Sequence, residues 1–234
     1  MKTLFLTFFF TFILPLSLNL TPRIILPVNP APTPLPELIY IPDVPFVSQA
    51  PFGDWKDPRQ QDGCEEAASM IAVYWAQSKT LTKSHALEQI ISIAAYETDK
   101  YGQYTDTSAI DTTKRIIKGY FNYSNAKTIN VNNLNDLIHP LGLGYLVIVP
   151  TNGQLLHNPN YTSPGPERHN LVIRGYDRLK SEFITNDPGT RKGENYRYPE
   201  NVLFAAIRDY PTGEHLPILV ATKSAILVSK IPFL

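Results

Sequence analysis

The residue of this chain best suited to nucleophilic chemistry is its single cysteine, Cys64. A proline-rich, aromatic loop precedes it, and Ala67, Ala68 and Ile71 recur after it on the same helical face. This pattern predicts that Cys64 lies in the first turn of a helix and points toward the core. There the unpaired backbone N–H groups and the positive end of the helix dipole favour a thiolate, the nucleophilic form of cysteine. A lone cysteine on an apolar face is also commonly an inert buried residue, so further residues have to decide between the two.

A cysteine nucleophile needs a base, and the base needs a partner that orients it. His169 opens the predicted strand HNLVIRGYD, and Asp187 closes the predicted returning strand. A turn centred near Arg178 would pair His169 directly with Asp187, and Leu171 with Thr185, on one side of the hairpin. The sequence therefore predicts a histidine and a carboxylate side by side.

A slip of one residue in this pairing would present Asn186 to the histidine instead of Asp187. An asparagine can also orient an imidazole, so the chemistry is the same in both registers, and Asp187 is the preferred candidate. None of the other four histidines has a carboxylate in a comparable position, and His157 is the nearest competitor.

A thiolate that attacks a carbonyl also needs donors for the developing oxyanion, usually a side-chain amide and the backbone N–H of the nucleophile. Gln49, Gln60 and Gln61 precede Cys64. Gln61 is close in sequence, whereas Gln49 follows a short apolar segment that makes a more rigid platform. Both remain candidates at this point.

The sequence contains no ligand pair of the C-x-x-C or H-x-x-x-H type and no glycine-rich phosphate loop. We therefore expect no metal and no organic cofactor. The chain has 234 residues and a formal net charge of zero, which predicts one main domain and excludes the basic surface of a nucleic-acid-binding protein.

The N-terminal segment has the composition of a targeting signal. Residues 1–20 place one lysine before a Leu- and Phe-rich run, which predicts a secretory signal peptide or an uncleaved membrane anchor. Prolines crowd residues 21–43, which indicates an extended spacer or a stub left after signal removal. We expect a secreted or cell-envelope protein whose domain spans residues 44–234, in which a single cysteine forms no internal disulfide.

Hydrophobic periodicity changes from helical in the first half to strand-like in the second half, which predicts an α+β fold with a helical half packed on an antiparallel sheet. Ile110 is expected to be a core residue of the third helix. The helices are predicted at 64–79, 82–96 and 109–121, and the strands at 145–149, 169–176 and 181–186, with a closing strand within 219–228.

Four segments, VPFVSQ, GCEEAASM, RHNLVIRGYD and FITNDPGTRKG, occur in this order over residues 44–210. Together they resemble the C39-like peptidases, a branch of the papain-like cysteine peptidases. The resemblance implies a papain-like fold, a peptide or protein substrate and no cofactor. It also implies that Cys64 is the nucleophile, His169 the base, Asp187 its orienting partner and Gln49 an oxyanion donor.

The chain departs from the family pattern at two positions. Pro58 stands where relatives that export peptides carry the glutamine, and Glu65 follows the cysteine where glycine is common. The sequence is therefore compatible with three functions: an exported cysteine peptidase, a transpeptidase or acyltransferase on the same triad, and a non-catalytic, envelope-attached binding module. Glu65 and Glu66 favour the last one, because carboxylates beside a thiol oppose its ionisation.

Overall fold

The computed structural model describes residues 36–233 of the chain, and they form a layer of helices packed on an antiparallel sheet. The predicted signal or anchor, 1–20, and most of the predicted spacer lie outside the described residues. Within 36–233, no helix has the length and apolar character needed to cross a bilayer. The α+β class predicted from the sequence is confirmed.

The helical elements come mainly from the first half of the described chain. They are α1 (Pro58–Gln61), α2 (Cys64–Ala76), α3 (Lys83–Tyr101), α4 (Ala109–Asp111), a π-helical segment (Thr112–Tyr120), α5 (Asn135–Gly142), a short 3-10 helix (Gly153–Leu156) and α6 (Glu200–Ala206). The strands are β1 (Leu38–Tyr40), β2 (Ala126–Asn130), β3 (Leu146–Thr151), β4 (His169–Asp177), β5 (Glu182–Asn186), β6 (Tyr196–Pro199) and β7 (Ser224–Val228).

All strand pairs in the sheet are antiparallel, in the order β2-β7-β3-β4-β5-β6. Strand β4 is the centre of the sheet, because it pairs with β3, with β5 and, through its last three residues, with β1. Its residues are buried from His169 to Tyr176, as expected of a strand that is covered on both faces. His169 therefore begins the most constrained strand of the molecule.

Helix α2 is the central helix of the domain and packs against β4. Its residues are buried from Cys64 to Trp75, so it has no solvent-facing side over most of its length. Glu65, Glu66 and Ser69, which the periodicity places away from the apolar face, are also buried. A helix buried all round needs neighbours on every side, and here the sheet, α3 and the π-helical segment supply them.

The third predicted helix, 109–121, is present but irregular. It consists of the single turn α4 followed by the π-helical segment, and Ile116 and Ile117 are buried as expected. The expectation for Ile110 is wrong, since this side chain is 65% exposed. The wider π-helical winding changes which residues face the core, and a regular 3.6-residue period does not anticipate that change.

The predicted boundary between spacer and domain lies too far along the chain. Leu38–Tyr40, within the predicted spacer, forms β1 and pairs with β4, and Ile39 and Ile41 are buried. The buried guanidinium of Arg174 fixes this segment, because it donates to the backbone oxygens of Ile41 (2.8 Å) and Val44 (3.4 Å). The segment before the first predicted motif is therefore part of the folded sheet.

The predicted pairing of the β4–β5 hairpin is also wrong. Val172 pairs with Asn186 and Ile173 with Thr185, and a bulge at Arg174 shifts the pairing by a further residue toward the turn. The turn lies at 178–181 and is not centred on residue 178, because the Asp177 carboxylate accepts a hydrogen bond from the backbone N–H of Lys180. Extending the observed register places Asp187 opposite residue 171, so His169 reaches Asp187 diagonally along the same face.

We expect Arg174→Met to lower the free energy of unfolding by about 2–4 kcal/mol, because it leaves the carbonyl of Ile41 without its donor and removes one donor from the buried carbonyl of Val44. Arg197→Met is the matched control on β6, since Arg197 makes only partly exposed ion pairs with Asp177 and Glu182 and should cost less than about 1 kcal/mol. Urea unfolding of both variants measures the difference. Equal effects would show that Arg174 does not anchor the N-terminal segment.

Candidate active site

The histidine and carboxylate predicted from the hairpin are in direct contact. His169 Nε2 lies 2.8 Å from Asp187 Oδ1, and both side chains are buried. The backbone N–H of Gly189 donates to the same oxygen at 3.0 Å. Since Asp187 accepts through Oδ1, the proton of the neutral imidazole sits on Nε2, and Nδ1 is the nitrogen left free to accept a proton.

The second oxygen of Asp187 is also fully engaged. Tyr161 and Tyr198 each donate a hydroxyl hydrogen bond to Oδ2 at 2.6 Å, and Asn158 Nδ2 lies at 3.4 Å. Burial alone would raise the pKa of Asp187, but the nearby His169 and the hydrogen bonds from His169 and the two tyrosines outweigh it and hold this pKa below its ordinary value. Asp187 is thus kept as a carboxylate in a buried position.

Asn186, the alternative partner, faces the other side of the strand. Its amide nitrogen donates to the backbone oxygen of Pro45 at 3.0 Å, and its amide oxygen accepts from the backbone N–H of Asn195 at 3.1 Å. The side chain therefore joins the N-terminal segment to the loop before β6. The structure brings Asp187, not Asn186, to His169.

Gly189 allows the backbone after Asp187 to approach the imidazole closely. A Cβ atom at this position would lie 2.7 Å from His169 Cε1 and 3.1 Å from Nε2. Tyr161 meets the same ring edge-to-face, with ring centroids 5.5 Å apart. The imidazole is therefore enclosed on several sides and has little freedom to turn.

Cys64 is the first residue of α2, at the place predicted from the sequence, and it is buried. Its Sγ donates a hydrogen bond to Glu65 Oε2 at 2.9 Å. Burial, followed by the charge and hydrogen bond of Glu65, raises the pKa of the Cys64 thiol well above its ordinary value. This direction is the opposite of the one expected from the helix dipole alone.

Gln49 lies beside the nucleophile, but its amide group is engaged. Its Nε2 donates to the backbone oxygens of Gln60 at 3.0 Å and Gln61 at 2.8 Å, the residues that lead into α2. The Gln49 side chain is buried, whereas Gln61 is exposed. Among the described residues, Gln49 Oε1 has no hydrogen-bond partner. Donation to an oxyanion by Gln49 therefore requires one of its two amide hydrogens to change partner.

One open cleft of about 1450 Å³ is lined by the candidate nucleophile, the candidate base and the two candidate oxyanion donors. Cys64, His169, Gln49 and Gln61 lie in its wall, so the helix and the sheet both contribute to it. Other residues that line the cleft are Trp55, Asp62, Asp106, Arg168, Arg191 and Lys192. The sequence motifs thus converge on a single concave surface with room for a polymeric substrate.

The cleft contains a second histidine–carboxylate pair that the sequence pattern does not reveal. His215 Nδ1 lies 3.0 Å from Asp106 Oδ2, and its backbone N–H donates to the same oxygen at 2.8 Å. The expectation that no other histidine has a carboxylate partner is therefore wrong. The two residues are separated by 109 positions in loops, where no periodicity links them. His157, the predicted competitor, is exposed in a turn, and its neighbour Asn158 reaches Asp187 instead.

Besides Glu65, the helical layer contains two more buried carboxyl groups. Glu66 on α2 and Glu97 on α3 are both inaccessible, and both oxygens of Glu97 lack a hydrogen-bond partner among the described residues. Burial, together with the charge of Glu65, raises the pKa of Glu97 to about 8. Within residues 36–233, no group of three or more His, Cys, Asp or Glu side chains is arranged to hold a metal ion.

A profile of the Peptidase C39 like family matches residues 41–210, which is more than half of the chain. A crystal structure from Bacillus anthracis, described as that of a C39-like peptidase, is similar to this chain with a TM-score of 0.53 and 15% sequence identity. The alignment covers 82% of this chain and 98% of the other. No curated protein matches the chain. These comparisons confirm the papain-like fold.

The buried carboxyl group of Glu97 should make stability depend on pH. The pKa of Glu97 is raised in the folded protein from an ordinary 4.5 to about 8. The stability that its protonated form contributes is therefore fully present below pH 4.5 and is lost as the pH rises toward 8. We expect the free energy of unfolding to fall over this range by up to about 1.4 kcal/mol per pH unit, and to fall less in Glu97→Gln. Urea unfolding at several pH values measures this.

The exposed residue Asp99 on the same helix offers the matched control, Asp99→Asn, which should leave the slope of the wild type unchanged. Parallel pH profiles for Glu97→Gln and the wild type would contradict the assignment of the slope to Glu97.

Proposed function

Because the chain belongs to the Peptidase C39 like family, we propose that it is a cysteine peptidase that hydrolyses peptide or amide bonds through an acyl-enzyme on Cys64. The observation that carries this proposal is the buried His169–Asp187 pair, whose His169 lines the same cleft as the single cysteine. A nucleophile, a base and an orienting group in one cleft are the requirements of acyl transfer.

His169 is the proposed base. Asp187 accepts a hydrogen bond from Nε2–H, so Nδ1 takes the proton of Cys64 as Sγ attacks the substrate carbonyl. Asp187 then stabilises the imidazolium that results, while Tyr161 and Tyr198 hold the carboxylate in place. When the tetrahedral intermediate collapses, the proton on Nδ1 passes to the leaving amine, and the acyl group stays on Sγ.

The oxyanion of the intermediate is proposed to bind the backbone N–H of Cys64 and the amide of Gln49. The first N–H groups of a helix have no partner inside the helix, so the Cys64 N–H is free to serve this role. Gln49 joins it by moving one amide hydrogen from the carbonyl of Gln60 or Gln61 to the oxyanion. Water activated by His169 then releases the acyl group and restores the thiol.

One observation favours a second candidate, a non-catalytic binding module. Cys64 donates its hydrogen bond to Glu65, and a buried carboxylate in this position opposes the thiolate. In that case the cleft would bind a peptide without cleaving it. Cleavage by the wild-type protein separates the two candidates, because only the peptidase yields new peptide termini.

We also propose that the protein is exported and acts in the secreted or cell-envelope space. The apolar run in residues 1–20 and the proline-rich stretch after it support this location. Cell fractionation followed by N-terminal sequencing of the mature protein tests it. A protein found only inside the cell with residues 1–20 intact would contradict it.

Incubation of the full-length protein with a proteome-derived peptide library, analysed by mass spectrometry, tests the proposed activity. We expect cleavage by the wild type, and a loss of at least about 10³-fold in Cys64→Ala and His169→Ala, because both remove a group that takes part in the bond-breaking step. His139→Ala is the control, because His139 is exposed on α5, away from the cleft. Cleavage that persists in Cys64→Ala would contradict the mechanism.

Asp187→Asn should reduce kcat by about 10²–10⁴-fold with a smaller change in KM, because a neutral amide does not stabilise the imidazolium as a carboxylate does, and its NH2 group replaces the oxygen that accepts from Tyr161 and Tyr198. His215→Ala tests the second pair in the cleft. If His215→Ala abolished cleavage while His169→Ala did not, the base would be His215, and the assignment of His169 as the base would be wrong.

A further inference from the structure

The thiol of Cys64 is held by the side chain that follows it in the sequence. Its Sγ lies 2.9 Å from Glu65 Oε2, and both residues are buried. Among the described residues this is the only hydrogen bond that the Cys64 thiol donates, and none joins it to His169. We infer that Glu65 is a positioning residue that holds the Cys64 thiol protonated and directed at a carboxylate, so that the thiolate forms only when this hydrogen bond breaks.

Two groups from separate parts of the chain hold Glu65 directly, and a third holds one of these two groups. Its Oε1 accepts a hydrogen bond from the Tyr210 hydroxyl at 2.8 Å and from the backbone N–H of Thr107 at 3.2 Å. Asn170 Nδ2 in turn lies 2.6 Å from the Tyr210 oxygen. Since one carboxylate oxygen is anchored in this way, the other has a defined direction, and that direction is toward Cys64.

The surroundings of this contact are mainly acidic or neutral. The titratable groups that face the Cys64–Glu65 pair are Glu66 on α2, Glu97 on α3, Asp62, Asp106 and Tyr210 in loops, and His169 on β4. Arg168 lies near Asp106, with 3.4 Å between Nε and Oδ2, and neutralises part of that charge. Carboxyl groups on several sides oppose a negative charge on Sγ whenever they are ionised, which is consistent with the raised pKa of the thiol.

Glu66 shows what a buried carboxyl group does here without touching the thiol. It follows Glu65 on the same helix and is equally inaccessible, but its Oε1 has no hydrogen-bond partner among the described residues. Both residues oppose the Cys64 thiolate when they are ionised, and only Glu65 accepts a hydrogen bond from the thiol. A comparison of Glu65 with Glu66 therefore separates the effect of the hydrogen bond on the thiol from the effect of a nearby charge.

This inference rests on the proposed function, because it concerns the proton that the peptidase mechanism must remove. In that mechanism the thiol breaks its hydrogen bond to Glu65 Oε2 and transfers its proton to His169 Nδ1. The contact thus adds to the free-energy cost of forming the nucleophile and assigns this cost to one identifiable side chain.

The test is the rate of alkylation of Cys64 by iodoacetamide from pH 4 to 9 in the full-length wild type, Glu65→Gln and Glu66→Gln. In Glu65→Gln the amide keeps an oxygen for Tyr210 and Thr107 and presents a donor to Sγ. We expect labelling at least about tenfold faster than in the wild type at pH 7, with the whole profile moved to lower pH. Glu66→Gln should move the profile clearly less. A Glu65→Gln profile that overlays the wild type, or moves no further than Glu66→Gln, would overturn the inference.

The S–H stretching band in the infrared spectrum of the wild type provides a measurement that does not depend on the folding of a variant. We expect the band at pH 7 and its absence in Cys64→Ser, whereas a wild type without the band would overturn the inference. Peptide cleavage is scored separately. A shifted Glu65→Gln profile without any cleavage means that the proposed function fails, and cleavage with an unshifted profile means that only this inference fails.

Discussion

The site is organised around one buried carboxylate, Asp187. Removing a carboxylate from water costs several kcal/mol, so it is stable in the interior only when hydrogen bonds replace its hydration. Here the histidine, two tyrosines, an asparagine and a backbone N–H supply them. These donors come from the loop before β4, from β4 itself, from the turn after β5 and from β6. The requirement to satisfy one charge therefore fixes the relative positions of several elements, and the imidazole takes its orientation from the result.

Cys64 illustrates how two electrostatic effects compete at a helix N-terminus. The dipole of α2 favours an anion there by about 0.3–1 kcal/mol. Burial of an ion in the interior costs several kcal/mol, and Glu65 adds a negative charge at hydrogen-bond distance. The larger effects determine the outcome, so the resting thiol is neutral even though it occupies a position that is favourable for thiolates in more exposed sites.

Sequence patterns located the helix and the strands nearest the site, although they assigned β1 to the spacer. Helical periodicity placed Cys64 at the start of α2, and strand-like runs identified β3, β4 and β5. The pairing of β4 with β5 was predicted two residues out of register near the site, because the turn lies further along the chain than predicted. The bulge at Arg174, whose side chain contacts the distant residue Ile41, adds a shift of one more residue toward the turn. His169 and Asp187 still meet, since a shift of two residues keeps a side chain on the same face of a strand. The partners that come from loops, Tyr161, Asn158 and the His215–Asp106 pair, follow no period and could be found only in three dimensions.

The contact between Cys64 and Glu65 also bears on how readily the thiol reacts with oxidants. Peroxides and disulfides react with thiolates and only slowly with neutral thiols. A thiol that donates its proton to a fixed, buried carboxylate is therefore protected from sulfenic acid formation and from mixed disulfides. Cys64 is the only cysteine of the chain, so it cannot form an internal disulfide. In an oxidising compartment, this protection would preserve it as a free thiol.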